Sequence, residues 1–176
     1  GASEDVTLVL QPGYNLKTIP YILSPNDGKI VFLGLADRQA YYLNSSSSWT
    51  SLYQNGTISP GQGYWIWSEK GEAYKLPVNA KGVNCQIPFT ISLQKGWNGV
   101  GNPCPKDIVW NPIVKTTKGT TSYQKAIDGK ILTVSYRSDP ISQKYVIVNP
   151  GDSVKAFDGL LIESGGDVDL VISAQN

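Results

Sequence analysis

Apolar and polar positions alternate along most of this chain in short runs divided by glycine, proline and asparagine. Val6, Leu8 and Leu10 alternate with Thr7 and Val9. That is the spacing of a strand, because successive side chains of an extended backbone point to opposite faces. Gly13 turns the chain into residues 14–19, which Pro20 ends. Strand-length runs follow at 30–35, 39–43, 49–53, 64–67 and 72–76. Ser24-Pro25-Asn26-Asp27-Gly28, Asn55-Gly56 and Pro60-Gly61-Gln62-Gly63 are turn signals. The four serines at 45–48 predict a flexible loop, and 77–84 reads as a linker, most flexible at Lys81-Gly82. Further strands are predicted at 87–93, 109–114, 121–123, 130–136, 144–148 and 167–172, with one helix candidate at 123–127. Short strands separated by such turns predict an all-β protein of sandwich or barrel type.

One stretch occurs twice. Leu10-Gln11-Pro12-Gly13-Tyr14-Asn15 runs on to Pro20, and Leu93-Gln94-Lys95-Gly96-Trp97-Asn98 runs on to Pro103, at a constant offset of 83 residues. Pro60-Gly61 is answered by Pro150-Gly151 at an offset of 90. The chain therefore reads as two similar β-sandwich or barrel-like units related by internal duplication, residues 1–80 and 81–176. Within the motif, Gly13 and Gly96 permit a turn with positive φ. Tyr14 and Trp97 supply a large apolar ring. Asn15 and Asn98 can bond the turn backbone through their amides.

Both units resemble a repeat of bacterial and archaeal secreted and surface proteins. Its pattern is a hydrophobic strand, Gly-Trp-Asn-hydrophobic-x-x-x-Pro, and some forty residues later Pro-Gly-x-Gly-Tyr-Trp-hydrophobic. The second unit has Gly96-Trp97-Asn98 and Pro103; the first has Pro60-Gly61-Gln62-Gly63-Tyr64-Trp65-Ile66. Each departs in one half. Tyr14 replaces the tryptophan in the first, and Asp152-Ser153-Val154-Lys155 falls where Gly-Tyr-Trp would stand in the second. The resemblance implies a non-catalytic β module of a larger, multidomain extracellular protein, and it implies no specific ligand.

Charge narrows the partners. The first 83 residues carry six basic and six acidic side chains, the remainder nine and eight. Neither half attracts nucleic acid or an anionic membrane, and no apolar run reaches the roughly 20 residues of a membrane span. Lysine and arginine are few, while glycine, serine, threonine, asparagine and tyrosine are plentiful. That composition suits a secreted or cell-surface protein. Cys85 and Cys104, the two cysteines, form either a disulfide or two inert thiols. Their placement around the second motif favours the bridge.

Histidine is absent, so no Ser-His-Asp or Cys-His catalytic pair can form. Zinc loses its commonest nitrogen ligand, and no phosphate-binding glycine loop is present. The carboxylates are scattered, and Asp167/Asp169 or Asn26/Asp27 fall short of a calcium loop. Neither a cofactor nor a metal is expected, and the chain is not expected to be an enzyme.

The aromatic residues are the better lead. In Tyr64-Trp65-Ile66-Trp67 the alternation places Tyr64 and Ile66 on one face and Trp65 and Trp67 on the other. At an offset of 90, Lys155 matches Trp65, so the tryptophan side is expected to face away from the core. Trp65 and Trp67, with Trp49 if the serine loop folds back, are the candidate ligand residues, a flat platform for sugar rings; the alternatives are that the other unit or a long loop such as the serine loop covers them, or that they form a protein-protein patch. The function expected is a non-catalytic extracellular binding or adhesion module for a polysaccharide or a cell-surface protein, carbohydrate being the first ligand class. The alternative is a structural cell-surface, surface-layer or filament domain. A glycoside hydrolase comes third, and would need paired carboxylates in a cleft.

Overall fold

The two motif asparagines close two equivalent turns. Asn15 Oδ1 accepts the Gln11 N–H at 2.9 Å, and its amide donates to the carbonyls of Gln11 at 2.9 Å and Gly13 at 3.1 Å. Asn98 makes the same three bonds to Gln94 and Gly96, at 3.0, 2.8 and 3.0 Å. The glycines between them, Gly13 and Gly96, have φ of 103° and 100°, left-handed values that glycine adopts without a Cβ penalty.

This computed structural model describes residues 2–176. The first half forms β1 (Thr7–Leu10), β2 (Gly13–Thr18), β3 (Tyr21–Ser24), helix α1 (Gly28–Val31), β4 (Gln39–Leu43), β5 (Trp49–Ser51), β6 (Gly63–Ser68), β7 (Glu72–Lys75) and β8 (Asn79–Gly82). The second half forms β9 (Phe89–Leu93), β10 (Gly96–Gly101), β11 (Ile108–Val109), β12 (Ile113–Thr116), β13 (Gly119–Ser122), helix α2 (Tyr123–Asp128), β14 (Ser135–Asp139), β15 (Lys144–Val148), β16 (Ser153–Val154), β17 (Gly159–Ser164) and β18 (Val168–Ile172). The protein is all-β, with several antiparallel sheets and two short helices.

Two four-stranded sheets have matching orders, β2-β6-β4-β5 and β10-β17-β14-β15. In the first, Gly13 lies opposite Ser68 and Thr18 opposite Gly63. In the second, Gly96 lies opposite Ser164 and Gly101 opposite Gly159. Gly63-Tyr-Trp-Ile-Trp-Ser68 and Gly159-Leu-Leu-Ile-Glu-Ser164 thus hold the same place in their sheets, an offset of 96 rather than 90. Leu161, not Lys155, stands where Trp65 stands, and Glu163 where Trp67 stands. Pro150-Gly151 instead lies before β16, which pairs with β11.

Each half buries its own cluster. Leu8, Ile19, Phe32, Tyr64 and Ile66 belong to one; Val114, Leu160, Ile162 and Leu170 belong to the other. Each such side chain contributes about 1.5–3 kcal/mol relative to exposure. Trp110, fully buried, donates from Nε1 to Ser135 Oγ at 3.1 Å, and Tyr123 Oη lies 2.7 Å from the same hydroxyl. Cys85 and Cys104 form a disulfide across 19 residues of sequence, holding the start of the second half to the segment after β10.

The halves meet through the ends of their motif strands. Thr18 N–H donates to the Phe157 carbonyl at 2.9 Å, and Gly101 N–H donates to the Gly61 carbonyl at 3.1 Å. The backbone of Lys17 pairs antiparallel with that of Asp158, and the backbone of Gln62 with that of Val100, each as an isolated bridge. Under the offsets of 83 and 96 each contact corresponds to the other with the halves exchanged. A Cβ on Gly63 would meet the Val100 carbonyl, and one on Gly159 would lie 2.9 Å from the Lys17 carbonyl. Backbone approaches backbone there, which glycine alone permits.

Some segments depart from the sequence expectation. Residues 30–35 were expected as a strand, but α1, started at Gly28 by the Asp27 cap on the Lys29 N–H, runs through Val31 and a turn follows. A short apolar run has no period that separates strand from helix. The expected linker is β8, paired with β3, and the boundary placed at 80–81 falls inside that strand. Ala80 is buried there and donates to Ser3 Oγ at 3.0 Å. The serine loop is tied down rather than free: Asn44 Oδ1 accepts from Ser46 and Ser48 at 2.9 and 3.1 Å. The 123–127 helix is present as α2, capped by Ser122.

Candidate functional site

Strand alternation puts Tyr64 and Ile66 wholly in the core and leaves Trp65 and Trp67 half-buried on the opposite face. The expected facing of β6 therefore holds, although the counterpart that carries the charge is Glu163 opposite Trp97 rather than Lys155. Tyr14, from β2, stands between the two tryptophans. Its ring is edge-on to Trp67 at 4.8 Å and to Trp65 at 5.7 Å. A flat two-ring platform is replaced by a faceted surface.

Trp65 is the hub of that surface. Trp49, on the sheet-edge strand β5, approaches it at 6.1 Å, and Tyr145, on β15 of the other half, at 6.2 Å. Trp49 and Tyr145 are counterparts under the 96-residue offset, so equivalent edge strands supply a ring from each side. The series continues from Tyr145 to Tyr136 at 6.5 Å and from Tyr136 to Trp97 at 6.2 Å. Seven rings join the two four-stranded sheets of matching order, in edge-to-face or tilted contacts of the kind aromatic quadrupoles favour.

Two hollows flank Tyr145. One, of about 470 Å³, is lined by Tyr14, Tyr41, Trp49, Trp65 and Tyr145, with Ser138, Gln143 and Lys144 completing the wall. The other, of about 320 Å³, is lined by Trp97, Tyr136, Tyr145 and Leu161 and is almost wholly apolar. The first lies within the usual size range of small-ligand sites and has their usual character, an apolar wall with a few polar groups. Burial pushes the Tyr145 phenol above its ordinary value.

The wall is fixed by a reciprocal contact between the halves. Tyr14 N–H donates to Gln143 Oε1 at 3.0 Å, and Gln143 Nε2 donates to the Tyr14 carbonyl at 3.3 Å. In the other direction Trp97 N–H donates to Ser47 Oγ at 3.1 Å, which in turn donates to the Trp97 carbonyl at 3.4 Å. Ser47 and Gln143 sit in the tips of equivalent hairpins, with φ of 56° and 57°. A Cβ on Gly13 would lie 2.8 Å from the Gln143 side chain, and one on Gly96 would meet Ser47 Oγ. The motif glycines thus serve the turn and also admit a side chain from the other half.

The structure brings Trp65, Trp67, Trp49 and the motif residue Tyr14 together, and reaches Trp97 through Tyr145 and Tyr136. Asn15 and Asn98 stay in their turns. Sequence reasoning missed Tyr145, Tyr136, Tyr41 and Gln143. The signal that leads to Tyr145 is the shared Gly-x-x-Ile-x-Ser of β6 and β17, because it sets the offset that pairs Tyr145 with Trp49. No family model matches this chain, and neither a curated protein nor a solved structure is significantly similar to it.

Proposed function

We propose that this chain is a non-catalytic extracellular binding or adhesion module whose ligand is carbohydrate. The observation that carries the reading is the hollow beside Trp65, walled by Tyr14, Trp49 and Tyr145 and edged by Ser138 and Gln143. Sugar rings present apolar C–H faces that stack on aromatic side chains, while their hydroxyls need polar partners at the rim. One stacked ring contributes about 1–2 kcal/mol by analogy with bases on aromatics. A single site would therefore bind weakly, and affinity would build through repetition along a polymer.

The architecture fits this reading. We take the matching strand orders and exchanged contacts as an internal duplication of one β unit, with the ligand face made jointly by both copies. The disulfide suits an oxidising compartment, and no described helix is long and apolar enough to cross a membrane. We place the module in a secreted or cell-surface protein of several domains. The test is retention on insoluble glycans, comparing wild type with Trp49→Ala/Tyr145→Ala. Both rings are well exposed, at 40% and 58%, so the variant should keep its fold and lose retention. Equal retention of a folded variant refutes the assignment.

A second reading, a structural surface-layer or filament domain, is favoured by one feature. Strand β15 forms a sheet edge and exposes Tyr145 and Ile147, and an unpaired apolar edge is a template for another strand. Concentration-dependent assembly abolished by Ile147→Lys would support it over the glycan reading.

A further inference from the structure

The correspondence between the halves supplies an internal control for a second cleft. A cleft of about 340 Å³ lies beside the hollow and shares Ser138 with it. Its walls include Lys17, Arg137, Lys155 and Asp158, three cations and one carboxylate. The exchanged position in the other half is also a cleft, of about 290 Å³. There Val100 replaces Lys17, Ser59 replaces Lys155 and Gln62 replaces Asp158, and no charged side chain is present. Tyr42 holds the place of Arg137, since Tyr41 and Tyr136 lie opposite the equivalent residues Trp65 and Leu161. The junction is therefore built equally well without charge, and the charges need another explanation.

Nor do they neutralise one another in close pairs. The one ion pair among the described residues joins Lys75 and Asp5, at 3.6 Å. Burial holds the Lys17 ammonium below its ordinary value, with Asp158 acting against that shift. Burial likewise pushes the Asp158 carboxyl up, opposed by Lys17, Arg137 and Lys155. Lys17 and Arg137 are half-buried while Lys155 is exposed, and half-buried positive charge is costly unless something completes it.

We propose that this cleft binds an oxyanion substituent of the sugar, a carboxylate or a sulfate, so that the preferred ligand is an acidic polysaccharide. This inference rests on the carbohydrate reading of the aromatic hollow. The two sites adjoin at Ser138, which lines both, while Lys17, opposite Tyr64, projects from the face of β2 that lies away from Tyr14 and Trp65. A polymer that passes Ser138 would bring a unit beyond the one stacked near Trp65 to the cleft, where Arg137 offers a guanidinium suited to planar bidentate anions.

The test is affinity electrophoresis against four polysaccharides: polygalacturonate, its methyl ester, dextran sulfate and plain dextran. Wild type should bind an acidic form more tightly than its neutral partner, and the two acidic arms separate carboxylate from sulfate recognition. Arg137→Gln/Lys155→Gln should lose at least about tenfold on the acidic form and bind the neutral form as before. Asp158→Asn should bind the acidic form more tightly than wild type. Equal wild-type binding to acidic and neutral forms, or a preference that survives Arg137→Gln/Lys155→Gln, overturns the inference and leaves the carbohydrate reading standing. Undiminished binding by Trp49→Ala/Tyr145→Ala, with the charge preference intact, overturns the aromatic reading instead. Wild type binding none of the four overturns both.

Discussion

Gln143 holds the backbone of Tyr14 from the opposite half of the molecule, receiving its N–H at 3.0 Å and donating to its carbonyl at 3.3 Å. The contact fixes a wall of the aromatic hollow and closes the space over Gly13. Two hydrogen bonds of this type contribute about 1–3 kcal/mol together. Gln143→Ala should therefore lower unfolding free energy by that order in chemical denaturation. Gly13→Ala should cost more, because alanine meets both the left-handed φ of 103° and the Gln143 side chain. In Gly13→Ala/Gln143→Ala the clash is gone and the φ strain remains. The pair should thus cost less than the sum of the singles, and strict additivity would show that the two residues do not compete for one space.

The backbone junction gives a sharper contrast. Gly63→Ala and Gly159→Ala would each drive a methyl group against main-chain atoms of the other half, which cannot rotate away as a side chain can. Each should destabilise by about 2 kcal/mol or more. Gly166→Ala, with nothing within 4 Å of the added carbon, should stay within about 0.5 kcal/mol of wild type. If the two junction variants behave like Gly166→Ala, the halves do not meet as closely as described.

The disulfide joins segments 19 residues apart. Chain-entropy arguments assign a loop of that size about 3 kcal/mol. Cys85→Ala/Cys104→Ala should show a loss of that order, and intact mass with and without reductant should differ by two hydrogens. Unchanged stability in the double variant would mean that the surrounding backbone and side-chain packing, rather than the bridge, holds this corner.

Much of this was legible in the chain, for identifiable reasons. A glycine and an asparagine two apart can do little but make a turn, so the doubled motif located two equivalent turns and their strands. Facing on β6 was inferred from Lys155 as a charged counterpart, and it holds although that match was wrong, because the residue in the place of Trp67, Glu163, is charged too. The partner of that strand was misplaced by six residues, since Pro-Gly is common punctuation and matched the wrong turn. Phe157, with φ of 71°, holds the position of Gly61, with φ of 82°, so the true match is hidden behind a residue that rarely adopts that backbone. Tyr145 and Gln143 escaped notice because a site shared by two halves depends on their docking, which no local period encodes. Trp110 and its bond to Ser135 escaped too, since Pro112 splits the run in which that tryptophan lies.

Asp158 offers the last prediction. Its carboxyl is pushed up chiefly by burial, against the pull of Lys17, Arg137 and Lys155 and a backbone hydrogen bond at Lys155. A carboxyl raised on folding binds its proton more tightly in the native than in the unfolded chain. Its stabilising contribution is then present below the ordinary carboxylate value and is lost as pH rises through the folded value. At neutral pH the ionised group should cost stability, as the neutral Gln62 at the exchanged position suggests. Asp158→Asn should therefore melt at or above the wild-type temperature at pH 7. That advantage should shrink as pH falls toward 4, where wild type becomes protonated in place. Thermal unfolding of both proteins across this range is the measurement. A variant less stable than wild type at pH 7, with the gap closing in acid, would mean that attraction to the three cations outweighs burial, and that Asp158 is the counter-ion that completes the cleft.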